Sequence, residues 1–231
     1  MSEVWYVVPS AKRKDEWSTI PLWQEMGYRV AVFRDPHMEK LDVDANFHFP
    51  YKGYAASVNQ MVKYLLETRK QIDWIVTGGD DIEPDPHCKP GIIAQELTHH
   101  FGGTFGIMQP TGDQTHMRQG NTCATERVCE SPWMGRDWCL RSYQGNGPLC
   151  SLYYHFFVDE ELHNVARALG VLLHRRDIVQ YHHHWTRSGT HRRDRPEYLA
   201  EAKLNWAEAK KLFEYRRDSG FPESVPLVSV L

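Results

Sequence analysis

The chain has 231 residues, 41% hydrophobic and 25% charged, enough for one well-filled core and ordinary for a globular protein. No apolar run approaches the roughly 20 residues a membrane-crossing helix needs. MSEVWYVVPSAK opens straight into a strand-like run without a charged-then-apolar leader, so the expectation is a cytoplasmic protein that makes no membrane contact and has no evident obligate protein partner. A net charge of −3 excludes a uniformly basic nucleic-acid binder, yet residues 174–217 hold eleven Lys/Arg against six Asp/Glu, with five histidines besides. That surplus suits an anionic ligand such as a pyrophosphate, and equally a solvated helix of mixed charge.

In chain order, EVWYVV (3–8) reads as a buried strand ending at Pro9-Ser10. Residues 12–27 carry Trp17, Ile20, Leu22, Trp23 and Met26 at helical spacing, with Gly27 as the stop. A second strand, 28–33, ends at Arg34-Asp35-Pro36, and the resulting βαβ unit predicts a parallel sheet. GYAASVNQMVKYLLET (53–68) reads as a helix and DWIVT (73–77) as a third strand running into Gly78-Gly79-Asp80-Asp81. A helix near 90–100 and a strand over 104–109 follow, whereas 111–150 shows no period. A helix over 159–173, a short strand over 178–182 and an amphipathic helix over 194–217 complete the chain, the last with Leu199, Ala202, Trp206, Ala209 and Phe213 on one side. No repeat or linker divides it, so residues 1–231 read as a single domain.

Five cysteines, at 88, 123, 129, 139 and 150, are odd in number and none has zinc-knuckle spacing, which reads as idle thiols in a reducing compartment.

Three clusters carry chemistry. In VTGGDDIEPDP (76–86) two adjacent acids follow a strand end, where open α/β sheets gather ligands. Adjacent carboxylates repel unless a proton or cation intervenes, and Mg²⁺ or Mn²⁺ suits oxygen donors. The bland alternative is an acidic turn that caps the next helix. In VQYHHHWTRSGTHRRD (179–194), strand alternation puts His182 and His184 on one face and His183 on the other. A histidine can complete a carboxylate metal shell, and Arg187, Arg192 and Arg193 can reach phosphates. In YYHFFVDEEL (153–162), Asp159, Glu160 and Glu161 open a helix, where acids complement its dipole. The catalytic alternative makes Asp159 a general base. SPWMGRDW (131–138) and MQPTGDQ (108–114) read as loops over a pocket, the former offering Trp133, Arg136 and Trp138, while either tryptophan taken singly reads rather as a large core residue.

This order of clusters resembles the GT-A fold of nucleotide-sugar glycosyltransferases, especially small phage- and bacterium-encoded members. The resemblance implies an α/β, Rossmann-like domain with a mostly parallel central sheet. It implies Mn²⁺ or Mg²⁺ held at a DxD-type motif, here Gly79-Asp80-Asp81, with His182 or His184 as the late ligand. Pro9, Ser10, Asp35, Asn59, Asp80 and Arg187 would contact the nucleotide-sugar donor, Asp159 would be the base, and Asp194, Tyr198 and Trp206 would belong to the closing helix. Gly79 departs from the motif, which has an acid there, and leaves open which aspartate meets the metal. The implied activity is transfer of a sugar, from a UDP-sugar first, to a hydroxyl acceptor. Phage-encoded members point to a hydroxymethylated pyrimidine in DNA, stacked on Trp133 and Trp138, with Arg136 beside it. The alternatives are a nucleotidyltransferase and a catalytically silent nucleotide- or sugar-binding module.

Overall fold

The computed structural model describes residues 3–113, 124–185, 187 and 204–224. Its centre is one seven-stranded sheet with spatial order β3-β2-β1-β4-β7-β6-β8. The strands are β1 (Glu3–Pro9), β2 (Arg29–Arg34), β3 (Ala45–His48), β4 (Ile72–Thr77), β6 (Ile107–Pro110), β7 (Trp133–Gly135) and β8 (Leu172–Arg175). β3, β2, β1 and β4 are mutually parallel, and β6 pairs parallel with β8. β7 runs antiparallel between β4 and β6. A separate ribbon joins β5 (Ile82–Glu83) to β9 (Tyr181–His182), with Ile82 opposite His182. The protein is therefore an α/β fold with a mostly parallel central sheet, as expected.

Alternation along β1 divides the core. Trp5 and Val7 face one side, where α2 (Tyr54–Thr68) and α5 (Val158–Ala168) pack with Met61, Leu65, Leu162 and Trp138. Val4, Tyr6 and Val8 face the other, with Ile20 and Trp23 of α1 (Ile20–Glu25) and Ile93 and Leu97 of α3 (Pro90–Phe101). Both sheet faces are covered, so the central strands read as continuous apolar runs rather than alternating ones.

Several expected boundaries move. The helix over 12–27 shrinks to α1, which Pro21 begins from within its first turn; residues 10–19 are instead an irregular loop bound to Asp80. The helix over 159–173 ends at Ala168, because Gly170 turns the chain with φ +68° and Leu172 enters β8. The strand over 178–182 keeps only its last two residues. β3, β5, β7 and α4 (Arg136–Arg141) were not expected. The C-terminal helix, α6, spans Trp206–Asp218 and packs Ala209 and Phe213 on the core. Leu199, Ala202, Asp194, Tyr198, Arg192, Arg193 and Cys123 lie outside the described residues. The other four cysteines are free thiols.

Helix α5 is anchored by charge as well as by apolar packing. Glu161, fully buried, accepts two hydrogen bonds from Arg216 of α6, both 2.8 Å, and one each from the Tyr143 and Tyr153 hydroxyls. A carboxylate this deep is tolerated because every lone pair direction meets a donor. Phe157, the residue before α5, takes the left-handed conformation at φ +70° and stacks on Phe213.

Candidate active site

The two glycines after β4 make room for the acidic pair that succeeds them. The Tyr6 hydroxyl donates to the Gly79 carbonyl at 2.6 Å, and a Cβ on Gly79 would run into the Asp81 carboxylate. An acid at position 79, as the DxD pattern would have it, would oblige the Asp81 carboxylate to move. Asp80 and Asp81, both buried, then point to different partners. Asp80 turns to the 10–19 loop: its Oδ2 accepts from the Ser10 hydroxyl at 2.7 Å, its Oδ1 lies 3.1 Å from the Lys12 ammonium, and Lys12 also reaches its carbonyl. Asp81 turns to β9, where its Oδ1 lies 3.4 Å from His182 Nε2.

The other ring nitrogen of His182, Nδ1, is 2.5 Å from Glu130 Oε1. Its backbone N–H donates to Asp113 at 2.7 Å, and the second oxygen of Asp113 accepts from Arg187 at 2.5 Å. Arg187 also lies over the Tyr181 ring at 3.9 Å. Burial alone would pull the His182 pKa down, but hydrogen bonds to Asp81 and Glu130 and their charges raise it to about 10. The expected alternation holds: the His184 ring is 5.2 Å from that of His182, while His183 turns away to Glu83 at 2.7 Å and to the edge of Trp17.

Among the described residues, no three His, Cys, Asp or Glu side chains are arranged to hold a metal ion. Asp81 and His182 nonetheless fit one as a pair. With bonds of about 2.1 Å, neighbouring ligands of an octahedral shell lie about 3 Å apart, and Mg²⁺-type sites often take only one or two protein ligands and leave the rest to water and phosphate oxygens. Glu130 occupies the second nitrogen of His182, where metal-binding histidines of other proteins commonly have a carboxylate.

Asp159 sits half-buried in the first turn of α5, and two contacts tie its segment to this site. Its carbonyl accepts from the N–H of Cys129, the neighbour of Glu130. On the other side, the Tyr54 hydroxyl is 3.0 Å from that of Thr77 at the end of β4, and the Tyr54 ring meets His155 edge-on at 6.5 Å. Burial lowers the His155 pKa, partly offset by Asp159, which favours a neutral imidazole.

Other expected contacts are placed elsewhere. Trp133 and Trp138 are fully buried, not exposed: the Trp133 indole donates to Gln180 at 2.7 Å, and Trp138 packs in the α2 core. Neither can stack on an acceptor, because a strand and helix α4, not a surface loop, carry them. Arg136 spends its guanidinium on the carbonyls of Leu66 and Arg69 at the end of α2 and of Ile72 at the start of β4, so it too is structural. Asn59 is held by both its amide atoms to Leu149. Asp35 accepts from the N–H of Tyr51 at 3.1 Å, and Pro9 closes β1 just before Ser10.

Sequence reading missed Glu130, Asp113 and Lys12. Lys12 lay in a segment read as helix, and Asp113 and Glu130 lie within the aperiodic stretch 111–150, where no pattern assigns a side chain to a site.

No protein-family model and no curated protein matches this chain. Solved structures similar to it include the catalytic domain of Drosophila beta1,4-galactosyltransferase 7 in complex with xylobiose, at 13% identity over 75% of this chain, with a TM-score of 0.45. This chain spans 65% of the length of that domain. Another is 4-diphosphocytidyl-2C-methyl-D-erythritol synthase, at 12% identity over 88% of this chain and 99% of that one, TM-score 0.43. A mutant of the Drosophila galactosyltransferase in complex with manganese, UDP-Gal and xylobiose matches at 10% identity over 88% and 80% of the two chains, TM-score 0.44. What this chain does rests on its own side chains. No helix among the described residues is long and apolar enough to cross a membrane.

Proposed function

We propose that the protein is a metal-dependent glycosyltransferase of the GT-A type. Its residues 1–231 form one domain that moves a sugar from a nucleotide donor, a UDP-sugar first, to a hydroxyl acceptor. The observation that carries this reading is Asp81 and His182 3.4 Å apart at the carboxyl end of a central strand, with Glu130 locking the histidine from behind. Asp81 and His182 would hold Mn²⁺ or Mg²⁺, which when bound neutralises charge on the departing nucleoside diphosphate. Asp80 holds the loop that carries Ser10 and Lys12 against the site, and Lys12 brings a positive charge to where a pyrophosphate would lie. Arg187 adds a second cation, oriented by Asp113. Asp159 takes the acceptor's proton as general base, from a segment that His155 and Tyr54 connect to the end of β4. His184 lies beside His182 as the alternative late ligand.

For the acceptor, a hydroxymethylated pyrimidine in DNA keeps the support of the basic surplus over 174–217 and loses that of the buried tryptophans. The test incubates the protein with a panel of nucleotide sugars, with Mn²⁺ or with chelator, and measures release of free nucleoside diphosphate. Glycosyl transfer predicts diphosphate release only with metal. Release of pyrophosphate from a nucleoside triphosphate and a sugar phosphate would make it a nucleotidyltransferase instead. Digesting modified and unmodified DNA to nucleosides after the reaction, with mass detection, decides the acceptor.

A further inference from the structure

A strained joint stands between two fixed parts of the molecule. Phe157, the residue before α5, holds φ at +70°, a left-handed conformation that costs energy for a residue with a Cβ. Upstream, the chain is fastened beside the end of β4. The Tyr54 N–H donates to the Tyr154 carbonyl at 2.8 Å, and the Tyr54 hydroxyl meets that of Thr77. The approach is close enough that a Cβ on Gly53 would fall 2.7 Å from the Tyr154 carbonyl oxygen. Downstream, α5 is fastened to α6 through Glu161 and Arg216. The joint itself is held by α6 as well: the Phe157 ring stacks on Phe213, centroids 5.4 Å apart and planes 22° from parallel, and leans on Trp206 at 5.8 Å. Backbone strain persists where its surroundings over-determine it, and it gathers where geometry serves a function.

We propose that Phe213 is a positioning residue for the reaction: by holding Phe157 in its left-handed conformation it fixes the angle at which α5 leaves the preceding segment, and so where Asp159 meets the acceptor hydroxyl. The proposal rests on the reading of Asp159 as general base. Asp159 lies two residues beyond the joint, in the first turn of α5, so a change of torsion at Phe157 swings it directly. A base works only within hydrogen-bond reach of its proton, and a misplacement of about 1 Å can cost ~100-fold in rate. Arg216 grips α5 beyond Asp159, at Glu161, and sets the place of the helix, whereas the Phe157–Phe213 stack sets the torsion that aims its start. Asp81 and His182 stand on other elements, so a loosened joint should spare donor binding and fall on the chemical step.

The test compares steady-state sugar transfer by the wild type, Phe213→Ala, Phe157→Ala, Phe157→Gly and the double variant Phe157→Gly/Phe213→Ala, each assayed well below its own Tm. Phe213→Ala should lower kcat by about tenfold or more and leave the KM for the nucleotide sugar within about twofold. Glycine takes positive φ without the Cβ penalty, so Phe157→Gly should turn over about tenfold faster than Phe157→Ala. Added to Phe213→Ala, it should restore kcat even though Tm does not recover. A stack that serves stability alone predicts otherwise: unchanged kcat in every folded variant, or the lowest kcat in the double variant. Either result overturns the proposal. Should Phe213→Ala not fold, the comparison of glycine with alanine at position 157 decides. Asp159→Asn separates this proposal from the reading beneath it. Lost turnover there, with equal rates for Phe157→Gly and Phe157→Ala, overturns the positioning role alone. Near-normal turnover removes Asp159 as the base, and the positioning role falls with it.

Discussion

Glu130 offers the sharpest trial of the site, because its carboxylate should set how His182 meets a metal without touching the metal itself. In Glu130→Ala the 2.5 Å contact to Nδ1 disappears, leaving a ring that is free to rotate or to present its other tautomer to Asp81. Hydrogen bonds to charged groups are worth about 1.5–3 kcal/mol. Outer partners of metal-binding histidines typically account for 10–100-fold in affinity, about 1.4–2.7 kcal/mol. Glu130→Gln keeps an acceptor but not the charge, so it should fall between the wild type and Glu130→Ala. The assay is titration of Mn²⁺ in the presence of UDP, with ¹⁵N spectra of the His182 ring in the metal-free protein followed across pH. A folded Glu130→Ala protein with unchanged Mn²⁺ affinity and an unchanged His182 titration would refute the positioning role.

The same geometry sets three further outcomes. Asp81→Ala should abolish Mn²⁺-dependent UDP binding, while Asp80→Ala should weaken it and free the Lys12 loop, seen as faster proteolysis near residues 12–16; identical behaviour of the two variants would contradict the divided roles. Asp159→Asn should lower turnover by orders of magnitude and leave donor affinity in place, as a lost transition-state interaction does; near-normal turnover returns Asp159 to a helix-dipole role. Because the His182 pKa is raised from 6.5 to about 10 in the folded protein, its contribution to stability is complete below about pH 6.5 and is lost as pH climbs toward 10. Chelator-treated protein should therefore lose Tm between pH 6.5 and 8, below the range where thiols titrate, and His182→Gln should flatten that slope.

The apolar runs of β1, β2 and β4 and the stripe of α2 were legible because strands covered on both faces and amphipathic helices leave strong local patterns. β3 and β7 were not, since three or four residues carry no period, and β7 owes its place in the sheet to partners far away in sequence. The same reason hid the site's outer residues: Asp80, Asp81 and His182 announce themselves by clustering, whereas Glu130 becomes meaningful only when the fold carries it to His182. The loop reading of 131–138 misled because a Gly- and Arg-flanked aromatic stretch resembles an exposed loop, whereas the core reading of Trp133 and Trp138 taken singly is the one their burial bears out.

The antiparallel β7 also dictates an order of assembly. β3, β2, β1 and β4 come from the first 77 residues and can zip together as soon as they exist. β6 is made next, yet its sheet neighbours are β7 and β8, both later in the chain. During synthesis β6 must therefore wait with its edges unpaired until β7 slots beside β4 and bridges the halves, and such waiting strands are where aggregation begins. Pairings of this range form slowly, so substitutions at Trp133 or Met134 should depress the yield of folded protein more than their effect on the finished structure's stability would suggest.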